Sequence, residues 1–166
     1  MDSFLLDTNI IIDANSARIL KHLNYMSFYV SQVVFKEEMN KQIPNLCNYN
    51  LNTINESYDE LSLAYKYHTT NKKISYYDAL NLAIAKVRKM VLVTGDQQLV
   101  KFCKQQEVNC IGTIKLIEIL LEKQIICADE SIIALEKLKS DSSRRIPHEL
   151  IDMIIEKIKS TLILTK

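Results

Sequence analysis

The stretch FLLDTNIIID, residues 4–13, places Asp7-Thr8-Asn9 between two aliphatic runs. Residues 3–6 read as a short buried strand, and Asn9 to about Leu20 as a helix with Ile12, Ile19 and Leu20 apolar. A carboxylate at the tip of a buried strand is costly unless it is paired or binds a metal. The stretch therefore specifies both a fold element and a question: what makes Asp7 tolerable there.

Working outward, residues 27–31 (SFYVS), 90–94 (MVLVT) and 108–112 (VNCIG) read as three further short strands. Helical patterns separate them. One runs from Gln32 through Lys41 and breaks at Pro44. Residues 45–55 are Asn-rich and read as a loop, and 56–70 as a helix with Leu61, Ala64, Tyr65 and His68 on its apolar face. Residues 74–89 (ISYYDALNLAIAKVRK) form the strongest helical pattern, with Ser75 as N-cap, Asp78 three residues on, and Ala79, Leu82, Ala83, Ile84 and Val87 facing inward. Gly95-Asp96 open a helix to about Gln105, and further helices are predicted at 113–123, 129–139 and 147–160, the last two joined by the polar link SDSSRR. Their apolar positions, Ile132, Leu135 and Leu138, then Leu150, Ile154 and Ile158, require a surface to pack on. Short apolar strands alternating with helices predict an α/β fold with a parallel sheet covered on both faces.

Composition limits the function classes. The chain has 166 residues, one domain's worth with a C-terminal appendage, and 48% of them are hydrophobic, enough for a sizeable core. A net charge of +1 gives no bulk attraction to nucleic acid or membrane, so any polyanion site is local. With 2 Gly and 2 Pro, helices dominate over loops. The 4 cysteines form no CxxC and read as reduced core thiols. No GxGxxG, P-loop or GxSxG occurs, and the scattered His22, His68 and His148 make no nucleophilic constellation. Without a secretory or membrane segment, a cytoplasmic location is expected.

What remains is a series of acids. Asp7 follows the first strand and Asp96 the third; Glu37 and Glu38 lie on the helix after the second; Asp78 opens the helix before the third. In an open parallel sheet, sites form beyond the carboxyl ends of the strands. Four segments can thus deliver carboxylates to one place, where hard cations such as Mg²⁺ or Mn²⁺ prefer oxygen donors. Each acid also has a structural use. Asp7, Asp78 and Asp96 can cap helices, and Glu37 and Glu38 can belong to a solvated helix face.

In that order the segments resemble the PIN-domain nucleases. LLDTNIIID is similar to the family's opening, VSQVVFKEEM to the segment carrying its Glu, ISYYDALNLAIA to the segment carrying its second Asp, and VLVTGDQQL to its fourth. The resemblance covers about residues 3–112, and IGTIKLIEILLEK is similar to an end segment of prokaryotic members. It implies a three-layer α/β/α fold with a short central parallel sheet, a nuclease domain over residues 1–125 and a helical extension over 126–166 packed on it. It also implies a divalent-metal-dependent ribonuclease in which Asp7, Glu37, Asp78 and Asp96 hold Mg²⁺ or Mn²⁺, with Thr8, Asn9 and Thr94 supporting. Counting from Ser31 favours Glu37 as the ligand; Glu38, one helix step away, is the alternative. Gln98 stands where some members carry a further acid, and Asp13 is too far along its helix to match. RNA, a small antitoxin and a second copy of the chain are the partners implied, the last two by toxin-like relatives. A non-catalytic RNA-binding or complex-forming PIN module is the alternative reading.

Substrate contacts are less legible. Lys72-Lys73, the Lys86–Lys89 region, Lys101 with Lys104, and Arg144-Arg145 are basic clusters that suit phosphates, but basic residues at a helix C-terminus also suit its dipole. Tyr76 and Tyr77 adjoin Asp78 and suit either base stacking or core packing.

Overall fold

The computed structural model describes residues 3–24, 27–141 and 146–164; the Arg144-Arg145 pair and most of the SDSSRR link lie outside them. Five parallel strands, β1 (Phe4–Leu6), β2 (Phe28–Ser31), β3 (Asn52–Ile54), β4 (Val91–Val93) and β5 (Cys110–Ile111), form one sheet in the order β3-β2-β1-β4-β5. Helices flank it, giving the α/β/α architecture. The chain builds outward from β1 to β2 and β3, then returns to β1's other side for β4 and β5. The order therefore switches between β1 and β4, the position at whose carboxyl ends open parallel sheets place their sites. β1 is buried throughout, as a central strand covered on both faces must be. Phe4 and Phe28 stand in register across β1 and β2 with their rings stacked at 5.3 Å.

The fifth strand corrects the loop expected over 45–55. β3 is only Asn-Thr-Ile at a sheet edge, with one buried residue, so it lacks the hydrophobic pattern that marks the other strands. Its Asn52 side chain donates to the Phe28 carbonyl at 3.1 Å, a bond that no propensity scale anticipates.

The helices are α1 (Thr8–Ser16), α2 (Gln32–Val34), α3 (Asn40–Gln42), α4 (Tyr58–Thr70), α5 (Tyr76–Arg88), α6 (Gln97–Gln105), α7 (Thr113–Glu122), α8 (Ala128–Ser140) and α9 (His148–Leu164). A single π turn, Phe35–Met39, joins α2 to α3. α1 ends sooner than expected, because Ala17 closes it and Arg18 takes a left-handed φ of 61°. On α4 the buried residues are Glu60, Ala64 and Tyr67, whereas Leu61 and Tyr65 face outward. Val87 on α5 is likewise exposed, while Ala79 through Ala85 are all buried. On α9 the buried face is Ile151, Ile155 and Ile158, one step round from the expected Leu150 and Ile154. α8 packs on α1, α7 and α9, so Leu135, Leu138 and Ile151 share the core with Ile10 and Leu116. Of the cysteines, all free, only Cys103 is buried; Cys110 is half-buried and Cys47 and Cys127 are exposed, Cys127 as the N-cap of α8. Among the described residues no helix is long and apolar enough to cross a membrane.

Candidate active site at the β1–β4 switch point

Asp7 leaves β1 at the sheet's centre and is the N-cap of α1. Its carboxylate is only 2% exposed and is held at both ends. Oδ1 accepts from the Thr8 backbone N–H at 2.8 Å and from Asn81 Nδ2 at 3.3 Å, and Oδ2 accepts from the Thr94 hydroxyl at 2.8 Å. The first of these bonds makes it a capping residue, but none neutralises it: among the described residues no cation pairs with Asp7. Burial, then the charge of Asp78, raise its pKa; bonds from Thr94 and Thr8 oppose them and the charge of Glu38 adds to them, leaving it at about 7 against an ordinary 3.8.

Asp78 occupies the first turn of α5 as the acid of a capping box. The Ser75 hydroxyl accepts from the Asp78 N–H at 3.0 Å, and Asp78 Oδ2 accepts from the Ser75 N–H at 2.9 Å. Asp96 caps α6, its Oδ1 accepting from the N–H groups of Gln98 and Leu99 at 2.7 and 2.8 Å. It adjoins Asp7 through Thr94, whose hydroxyl donates to Asp7 while accepting from the Asp96 N–H at 3.1 Å. The capping use expected of Asp7, Asp78 and Asp96 is thus observed. In both Asp78 and Asp96 the cap engages one carboxylate oxygen and leaves the other out of it.

The segment after β2 corrects the expected register. Glu38, not Glu37, faces Asp7: the Thr8 hydroxyl donates to Glu38 Oε2 at 2.5 Å, while Glu37 is exposed and pairs with Lys41 at 3.3 Å. The cause is the π turn, which holds one more residue than an α-helical turn. Val34 and Met39, five apart, are both fully buried, and the glutamate facing the site is displaced with them.

Asn9 is exposed at the rim, in the wall of a cleft of about 770 Å³ beside Asp96. Asp13, one turn further along α1, lines the same cleft and accepts from the Thr113 hydroxyl at 2.5 Å, so it is nearer the acids than its place in the sequence suggests. Leu150 and Ile154 of α9 also line it.

Two residues at the strand ends escape sequence reasoning. Asn81 is fully buried on α5, and the only signal for it is a polar residue three places after Asp78 in an apolar run. Glu56, where the sequence predicts the start of a helix, accepts from the Ser31 hydroxyl at 2.5 Å and the Val33 N–H at 3.0 Å, anchoring the start of α2. Two of the basic candidates are committed elsewhere. Arg88 binds Glu60 through Nε at 2.6 Å and Nη2 at 3.0 Å, and Lys86 donates to the Gln106 carbonyl at 2.5 Å. Tyr76 and Tyr77 are half-buried beside Asp78, their rings edge-on at 6.2 Å, and His68 bonds the Ile74 carbonyl.

A parallel sheet in this order, with an acid at the end of each of its two central strands and others converging on them, defines an α/β protein of the PIN type. The chain belongs to the PIN-domain family: the family model DUF3368, PIN domain, matches residues 3–160. The fold is also that of a solved crystal structure, PAE2754 from Pyrobaculum aerophilum, at a TM-score of 0.53 and 15% identity, covering 69% of this chain and 92% of that one. No curated protein sequence matches. The family places the chain among proteins of nuclease-type fold.

The donors suit a hard divalent ion by chemistry: a buried carboxylate with no counter-cation among the described residues, two further carboxylates whose charges raise its pKa, and Asp96, whose backbone N–H shares the Thr94 hydroxyl with it. Among the described residues, however, no three such side chains converge tightly enough to hold an ion as they stand.

Proposed function

We propose that this chain is a divalent-metal-dependent ribonuclease that hydrolyses RNA phosphodiester bonds at the β1–β4 switch point. The observation that carries this reading is Asp7: a buried carboxylate at the open end of the central strand, next to Asp78 and Glu38 and with no cation paired to it among the described residues. Such an arrangement destabilises the protein alone and is useful to one that recruits positive charge. Asp7, Glu38, Asp78 and Asp96 are the residues that would hold Mg²⁺ or Mn²⁺. When bound, the ion supplies a Lewis acid that activates water and offsets charge on the phosphate. Thr94 orients Asp7 and places the Asp96 backbone, Thr8 orients Glu38, and the cleft beside Asp96 receives the strand. RNA as the substrate rests on the family resemblance, as does a small antitoxin that covers the site.

The second reading, a PIN module that binds RNA or a partner protein without cutting, is favoured by one observation. Asp78 and Asp96 are each engaged in a helix cap, and no tight ion-binding trio stands ready among the described residues. Cleavage of single-stranded RNA, structured RNA and DNA under Mg²⁺ and Mn²⁺ titration separates the two. Metal-dependent RNA cleavage lost in Asp7→Asn supports the enzyme. Binding of RNA with no cleavage at any metal concentration supports the module.

A further inference from the structure

We propose that Asn81 is a positioning residue that fixes the Asp7 carboxylate for its ligand; this rests on the metal-dependent reading above. Residues 79–85 of α5 are all buried, and Asn81 is the one polar side chain among them, at 0% exposure. A core position of that kind ordinarily takes an aliphatic residue, because a buried amide group left unsatisfied forfeits its bonds to water without replacement.

The cost is visible. Asn81 Nδ2 donates to Asp7 Oδ1, but Asn81 Oδ1 is buried with no hydrogen-bond partner among the described residues. Turning the amide over would face its oxygen toward a carboxylate oxygen, which when ionised only accepts. The orientation is therefore set by Asp7, and the stranded oxygen is its consequence. Core packing alone gives no reason to keep the amide.

The geometry supplies one. Thr8 N–H and Asn81 Nδ2 engage Oδ1 while the Thr94 hydroxyl engages Oδ2, so three donors from three elements fix the carboxylate plane. α5 thereby serves the site twice: Asp78 at its first turn brings charge, and Asn81, one turn further in, aims the charge of Asp7.

Asn81→Leu removes both polar atoms at similar size, and Asn81→Ala guards against overpacking. Mn²⁺ affinity is expected to fall about ten- to a hundredfold in either variant, with kcat falling and KM nearly unchanged, while thermal unfolding shows a folded protein. Mn²⁺ affinity within twofold of wild type in a folded variant would overturn the assignment. The metal-free arm is the NMR signal of the Asn81 side-chain amide. It is expected to be downfield and exchange-protected in wild type and to move in Asp7→Asn. An amide signal unchanged in Asp7→Asn sinks the positioning role whether or not any ion binds. A shifted amide signal in a wild type that binds no Mn²⁺ sinks the metal reading and leaves the Asn81–Asp7 link standing.

Discussion

Asp7 and Glu60 invite comparison because burial treats them alike and electrostatics does not. They are 2% and 1% exposed, and each works at a helix N-terminus, Asp7 as the cap of α1 and Glu60 as the acid of the Ser57 capping box on α4. Burial raises the pKa of Glu60 too, but hydrogen bonds from Arg88 and the Ser57 backbone, with the Arg88 charge, outweigh it and leave Glu60 below its ordinary value. Arg88 is itself fixed by the Asn55 carbonyl at 2.8 Å. At Asp7 the neighbouring charges are Asp78 and Glu38, and the balance goes the other way. A buried acid that brings its own cation is part of the scaffold; one that gathers further acids is kept for something outside the chain.

The largest test of that contrast is Asp7→Asn. It is expected to lower RNA cleavage by at least about a thousandfold, since a charge aimed at the reacting centre is lost, while the melting temperature holds or rises as repulsion is relieved. Retained cleavage, or unfolding, breaks the comparison. Next come the adjacent glutamates. Glu38→Gln should lower cleavage by about a hundredfold, and Glu37→Gln should stay within about twofold because its Lys41 pair is exposed. Equal losses in a side-by-side assay would erase the distinction between them. The scaffold side responds in stability instead. Arg88→Ala strands Glu60 and should cost about 2 kcal/mol in urea unfolding, less than a fully buried pair because Arg88 is 37% exposed. Activity per folded molecule should be unchanged.

The smallest effect is in pH. Glu60 has a folded pKa below 4.5, so its stabilisation is complete above that value and is lost as pH falls through the depressed one. Wild type should therefore show a shallow acid-side loss of stability that Glu60→Gln lacks. Identical slopes in the two proteins would remove Glu60 from the account.

The strands that carry Asp7 and Asp96 were legible in the sequence because aliphatic runs ending in an acid are a local pattern. So was the α5 capping box, written in Ser75 and Asp78. β3 was not, since an edge strand of Asn-Thr-Ile is stabilised by the Asn52 side chain and by a neighbour distant in sequence. Nor was the inward face of α4, because Glu60 reads as a surface residue until Arg88 is placed beside it. Asn81 and Glu56 share that difficulty: each gains its meaning from a partner on another element, Asp7 for one and Ser31 for the other.

The π turn at Phe35–Met39 has a bearing on how relatives of this chain are to be compared. It is one residue of surplus length inside a segment that otherwise looks continuously helical. Against a relative that lacks the turn, an ungapped alignment across it would pair Glu37, which bonds Lys41, where Glu38 is the glutamate that faces Asp7. Deleting Lys36 is the corresponding length change: it would bring Val34 and Met39 to ordinary helical spacing, with Glu38 still beside Met39.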